Sequence, residues 1–188
     1  MATRKLAILA LLAIGVAVAN ASVFVFYPIT IGAQPASPPL KFYAGSNANQ
    51  NDLSGTITVS LGDNGTSVDI TVHPTYQYTY YHNITVVKNE GSSALYFKIN
   101  VSNAISGLPT GGKAYLIIRV GTSTHTVDLT QTGAQPSNWI ALNSGEKAEV
   151  DLEFYIPEGV ALPSSISTTV HLVYTNSNSA GSIPSLVP

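Results

Sequence analysis

The side chains best suited to metal or acid–base chemistry in this chain are four scattered histidines: His73, His82, His125 and His171. None forms the H-x-x-x-H or H-x-E spacing that brings zinc ligands together. The aspartates form no D-x-D-x-D-G loop, the pattern that wraps around calcium. The sequence therefore predicts no metal site and no cofactor, and structural or surface roles for the histidines.

The acidic residues and serines also lack a catalytic pattern. The densest acidic group alternates along one segment and comprises Glu146, Glu149, Asp151, Glu153 and Glu158. Such alternation predicts the solvated face of a β-strand. No G-x-S-x-G motif offers a nucleophilic serine, and no H-E-x-x-H motif offers a protease site. We therefore predict that the protein is not an enzyme.

Two other patterns indicate surface chemistry. Within the predicted mature chain, sequons for N-linked glycosylation occur at Asn64, Asn83 and Asn100. A dense group of tyrosines, Tyr76, Tyr78, Tyr80 and Tyr81, precedes His82. It is a candidate for an aromatic sugar-binding strip or a contact between subunits, and the simpler interpretation is an edge strand of mixed burial.

Composition restricts the classes of partner. Charged residues make up 10% of the chain and the formal net charge is −2, whereas typical proteins have about 25% charged residues. Because no basic surface gathers phosphates, we expect no binding to nucleic acid. The chain has no cysteine, so neither disulfides nor thiolate metal sites can form.

The first residues predict export. Arg4 and Lys5 precede an apolar run over residues 6–19, and Ala19-Asn20-Ala21 matches the A-x-A cleavage pattern. As a helix the run would rise about 21 Å, which is short of a bilayer core. We predict a signal peptide over residues 1–21, cleavage between Ala21 and Ser22, and no stable membrane anchor after processing.

In a second interpretation, the apolar segment stays in the mature protein. Residues 6–27 are nearly all apolar, so cleavage after Lys5 would leave the long hydrophobic helix typical of archaeal type IV pilins. Both interpretations place the protein outside the cell.

Beyond residue 21 the apolar residues recur with a period of two and are mostly Val, Ile, Thr, Tyr and Phe, which predicts an all-β fold. The predicted strands span residues 56–61, 67–72, 78–88, 95–101, 114–120, 124–129, 148–156 and 168–174. We expect a single β-sandwich or jelly-roll domain over residues 40–175, with a proline-rich linker over residues 32–39 and a flexible tail over residues 176–188.

The segment after the cleavage site, residues 22–31, has high β-propensity and no charge. Its apolar side chains are those of Val23, Phe24, Val25, Phe26, Tyr27, Ile29 and Ile31. A free terminus of this kind would aggregate if left exposed. It could pair within its own sandwich or complete the sheet of a neighbouring subunit, and head-to-tail repetition of the second arrangement makes a polymer.

Several segments resemble a known family. After the signal and residues 22–31 come PPLKFYAGSNAN at residues 38–49, LNSGE at 142–146 and IPEG at 156–159. This order resembles the archaeal bundling pilins, which are similar in fold to the bacterial biofilm fibre protein TasA. The resemblance implies a donor strand over residues 23–31, exchanged between identical subunits, and filaments that associate into bundles.

We therefore expect a secreted structural subunit of an extracellular filament, a bundling pilus or biofilm fibre, assembled by donor-strand complementation. Its partners would be identical subunits and neighbouring filaments. The alternatives are the type IV pilin and a monomeric carbohydrate-binding or adhesion module built on the tyrosines.

Overall fold

The computed structural model describes residues 3–5, 27–181 and 183. The chain divides into two compact units, residues 1–36 and 37–188. In the first unit, residues 3–5 are helical and residues 27–36 have no regular secondary structure. Within the described ranges, no helix is long and apolar enough to span a bilayer.

The second unit is built from β-strands with a period-two burial pattern. Its described residues form β1 (Leu40–Ala44), β2 (Thr58–Leu61), β3 (Val68–Thr71), β4 (Gln77–Asn89), β5 (Leu95–Val101), β6 (Lys113–Val120), β7 (Ser123–Asp128), β8 (Gly133–Leu142), β9 (Lys147–Ile156) and β10 (Val170–Thr175). One short 3-10 turn, Asp63–Gly65, joins β2 to β3.

The strands form a five-stranded sheet in the order β1-β4-β9-β6-β7, a three-stranded sheet in the order β10-β5-β8, and a β2-β3 hairpin. Every pairing is antiparallel. Phe97 and Val101 of β5 share one hydrophobic core with Ile118 of β6 and Val150 of β9. The expected all-β sandwich is thus confirmed, because side chains from both sheets meet in a single interior.

β4 is irregular in a way that shapes the surface. Its register against β9 shifts between Tyr81 and Thr85, which marks a β-bulge. β1 pairs only with the part of β4 that follows the bulge, from Thr85 to Asn89. Among the described residues, the part of β4 before the bulge therefore has a neighbouring strand on one side only.

The loop between β1 and β2 covers the bulge. The backbone amide of Gly45 donates to the carbonyl of Ile84 (3.0 Å), and that of Asn47 donates to the carbonyl of Asn83 (3.1 Å). A Cβ atom at position 45 would lie 2.1 Å from the carbonyl oxygen of Asn83, so this close approach of two backbones requires glycine.

Candidate functional site

Only part of the expected donor strand lies within the described residues. Ala21, Ser22, Val23, Phe24, Val25 and Phe26 lie outside them. Tyr27, Ile29 and Ile31 have no regular secondary structure and are 83%, 83% and 87% exposed. The apolar end of the segment is thus presented to solvent, and the exchange of this strand between subunits remains a prediction.

Among the described residues, β10 is an edge strand of the three-stranded sheet. It pairs with β5 from Val170 to Thr175, and none of the described strands adjoins its other side. Val170 and Leu172 contact the hydrophobic core but are only partly buried. This edge combines free backbone groups with apolar side chains that are incompletely covered.

A second surface feature is an open cleft of about 680 Å³ beside the first part of β4. One wall is the loop between β1 and β2, which contributes the amide side chains of Asn47, Gln50 and Asn51. The opposite wall is β4, which contributes Tyr78 and Tyr80. We call this feature the β4 cleft.

Asp52 holds the loop wall of the β4 cleft in place. Its carboxylate accepts hydrogen bonds from the backbone amides of Ser54 (3.2 Å), Gly55 (2.9 Å) and His73 (3.0 Å), and contacts Nδ1 of His73 (2.9 Å). Burial raises the pKa of Asp52, but these hydrogen bonds outweigh it and lower the pKa below its ordinary value. The carboxylate is therefore a structural anchor whose oxygens are already engaged.

A buried charge network fixes the strand wall. Both oxygens of Asp151 on β9 contact the Arg119 guanidinium (3.0 Å each), and one accepts a hydrogen bond from the backbone amide of Asn83 in the bulge (2.6 Å). The Tyr80 hydroxyl also donates to Asp151. Burial and the nearby Asp151 carboxylate raise the pKa of Tyr80, so its hydroxyl stays protonated. The hydrogen bond from this hydroxyl to Asp151 holds the Tyr80 ring in one position.

The location of Asp151 corrects the sequence analysis. The alternating acidic residues were predicted to form a solvated face, but the Asp151 side chain is 0% exposed. The bulge and Arg119 supply donors that compensate for burial of its charge. The apolar side chains that alternate with these acidic residues along β9 are buried, which confirms the period-two pattern of the strand; they are Val150, Leu152, Phe154 and Ile156.

The tyrosines do not form one continuous strip. The Tyr76 hydroxyl donates to the carbonyl of Val160 (2.7 Å). Tyr78 and Tyr80 are 66% and 48% exposed, and the ring of Tyr78 packs on that of Tyr155 with centroids 4.8 Å apart. Tyr81 is buried, and its hydroxyl has no hydrogen-bond partner among the described residues.

The three sequons lie in different environments. Asn64 is exposed in the turn between β2 and β3. Asn83 is partly buried in the bulge, and Thr85 of the same sequon is buried, with its hydroxyl donating to the carbonyl of Tyr43 (2.8 Å). Asn100 is partly buried on β5, the central strand of its sheet. In the folded domain, Asn64 is the most accessible of the three acceptors.

The histidines remain dispersed in the structure. His73 is next to Asp52, and His82 Nδ1 lies 3.3 Å from Asp151, while His125 and His171 lie on β7 and β10. Within the described ranges, no three His, Asp or Glu side chains are grouped so that they could hold a metal ion.

Comparisons with known proteins do not add to these observations. No protein-family model matches the chain, and no curated protein matches it significantly. The resemblance to bundling pilins therefore remains a prediction from sequence patterns.

Proposed function

We propose that the protein is a structural subunit of an extracellular filament, in which residues 22–31 of one subunit add a β-strand to the next. The observation that carries this proposal is the exposure of Tyr27, Ile29 and Ile31 at the end of an uncharged segment. Burying each such side chain contributes about 1.5–3 kcal/mol. A partner that covers the whole segment would stabilise the assembly strongly.

The proline-rich residues 32–39 support exchange between subunits. Residues 32–38 of this segment have no regular secondary structure, and Pro35, Pro38 and Pro39 favour extended backbone. A stiff, extended connection of this kind favours pairing of the strand with another subunit. Because the donated strand and the accepting edge are different surfaces, the contact is heterologous and continues from one subunit to the next.

We propose the free edge of β10 as the accepting edge. A strand added there would pair with main-chain groups that lack a neighbouring strand in the described part of the chain, and its alternate apolar side chains would cover Val170 and Leu172.

The first experiment tests polymerisation. The secreted full-length chain is compared with a chain lacking residues 22–31, and with Ile29→Asp and Thr30→Asp, by electron microscopy and N-terminal sequencing. Thr30→Asp is the matched control because residues 29 and 30 of a strand face opposite sides. We expect filaments beginning at Ser22 from the full chain and Thr30→Asp, and none from the deletion or Ile29→Asp. Unchanged filaments after deletion would refute donor-strand assembly, and filaments beginning at Leu6 would indicate a type IV pilin.

A second experiment locates the accepting edge. Because the chain has no cysteine, Ile31→Cys can be combined in turn with single cysteines at residues 170–175, or at Thr124 and Thr126 on β7 as controls. We expect a ladder of disulfide-linked subunits on a non-reducing gel for at least one position on β10. Cross-links restricted to β7 would place the accepting edge there.

A further inference from the structure

We propose that the β4 cleft is a binding site for a neutral saccharide. The cleft joins two kinds of group that sugars use: exposed tyrosine rings, which pack against the C–H faces of a sugar ring, and amide side chains, which donate to and accept from its hydroxyls. Tyr78 and Tyr80 supply the rings, and Asn47, Gln50 and Asn51 supply the amides.

Both walls are fixed before any ligand arrives. The Tyr80 hydroxyl is held by Asp151 and Arg119, and the loop wall is held by Asp52. Asn47 Nδ2 donates to the carbonyl of His82 (2.7 Å), which joins the two walls directly. A preformed site loses less conformational entropy on binding, which favours recognition of weakly held ligands such as sugars.

Tyr81 forms part of the floor of the β4 cleft. It lines the cleft, is 5% exposed and packs edge-on against Phe154. Its hydroxyl is buried near the backbone of His73 and the Asp52 carboxylate, and burial raises the pKa of Tyr81 to about 12. The hydroxyl is therefore closed off from the cleft, and recognition rests on the exposed tyrosine rings and the amides.

The composition of the walls disfavours other ligand classes. Among the described residues that line the cleft there is no lysine or arginine, so an anion would lack a permanent counter-charge. The Asp52 oxygens already accept several N–H donors, so a cation would have to displace them.

The test is saturation-transfer NMR of the full secreted chain with maltotriose, mannotriose, cellotriose and chitotriose, a method that works on monomers and filaments alike. We expect one of these sugars to bind, with affinity lowered roughly fivefold or more by Asn51→Ala and roughly tenfold by Tyr78→Ser. Tyr174→Ser, which changes an exposed tyrosine on β10, is the matched control and should leave affinity unchanged.

Thermal unfolding of each variant separates binding from folding. Asn51→Ala changes an exposed side chain, so its melting temperature should equal that of the unaltered chain while its affinity falls. Absence of binding by all four sugars at millimolar concentration, or unaltered affinity in both cleft variants, would overturn the proposal. Neither result depends on whether the chain forms filaments.

Discussion

Asp151 is the residue whose surroundings differ most from what its sequence context suggests. Its carboxylate is buried between β4, β6 and β9, and it meets Arg119 through both oxygens. It also accepts from the backbone amide of Asn83. This side chain thereby accepts hydrogen bonds from the backbone of the bulge, from the partly buried Arg119 and from Tyr80, which lines the β4 cleft.

Replacement of Asp151 should therefore destabilise the fold. We expect Asp151→Ala to lower the free energy of unfolding by about 1–3 kcal/mol, because the backbone amide of Asn83 would lose its acceptor, while the partly exposed Arg119 keeps Glu149 as a partner. Glu149→Gln is the control, since Glu149 also contacts Arg119 (3.2 Å) but its side chain is 43% exposed; it should cost less than about 1 kcal/mol. Chemical denaturation measures both, and equal effects would contradict the assigned role.

Glu90 at the end of β4 is a second carboxylate with a perturbed environment. The Tyr43 hydroxyl donates to it, and Lys41 lies 2.9 Å away. These contacts, the tyrosine hydrogen bond first, lower the pKa of Glu90 from 4.5 to about 2.

A lowered pKa predicts the direction of the pH dependence. The stabilisation from Glu90 is complete above its unfolded pKa of 4.5 and is lost as the pH falls towards about 2. We expect Tyr43→Phe to raise the pKa of Glu90, measured by NMR titration of its carboxyl carbon. Tyr174→Phe should leave it unchanged, and an unaltered pKa in Tyr43→Phe would show that the hydrogen bond does not lower it.

At the scale of elements, Asn89 connects the end of β4 to the three-stranded sheet. Its side-chain amide donates to the carbonyls of Ser93 (2.8 Å) and Leu142 (2.9 Å), and its side-chain oxygen accepts from the amide of Gly91 (2.9 Å). The residue is fully buried. A single side chain thus forms hydrogen bonds with backbone groups in the turn between β4 and β5 and at the end of β8.

We expect Asn89→Ala to lower the free energy of unfolding by about 1–3 kcal/mol, because the buried carbonyls would lose their donor. The exposed Asn51 offers a control of the same residue type, for which replacement by alanine should be nearly neutral. Denaturant titration of both variants distinguishes the buried connection from a general effect of removing asparagine.

Strands with clear alternation were predictable from the sequence. Residues 95–101 were predicted as a strand and form β5 with the same bounds, and the predicted strand over 148–156 differs from β9 by one residue. The prediction missed β1 and β8. β8 contains Pro136, and its register against β5 shifts where the proline lies, so a local pattern could not reveal the pairing.

The β4 cleft was only half predictable. The sequence pointed to Tyr78 and Tyr80 because tyrosines are dense there, but the opposite wall comes from Asn47, Gln50 and Asn51, about 30 residues earlier in the chain. Nothing local marks those amides as facing β4. The buried position of Asp151 was missed for the same reason, since its partner Arg119 lies on another strand.

For the whole molecule, the low charge is the dominant property. With 8 basic and 10 acidic residues in 188, and Asp151 and Arg119 paired, few charges remain to repel a neighbouring copy. Proteins with net charge near zero associate more readily. Side-by-side association of the proposed filaments would therefore meet little electrostatic opposition and would depend weakly on salt.

The bulge in β4 also divides one strand into two regions of different backbone protection. Residues after the bulge are hydrogen-bonded to β1 and β9, whereas those before it are paired only with β9 and border the cleft. Amide hydrogens of the doubly paired region should exchange with solvent only through large-scale opening, while those on the free edge exchange through local fluctuations. A single continuous strand thus combines a core region whose amides exchange slowly with an edge whose amides exchange faster, even though the Tyr80 side chain on that edge is held by Asp151.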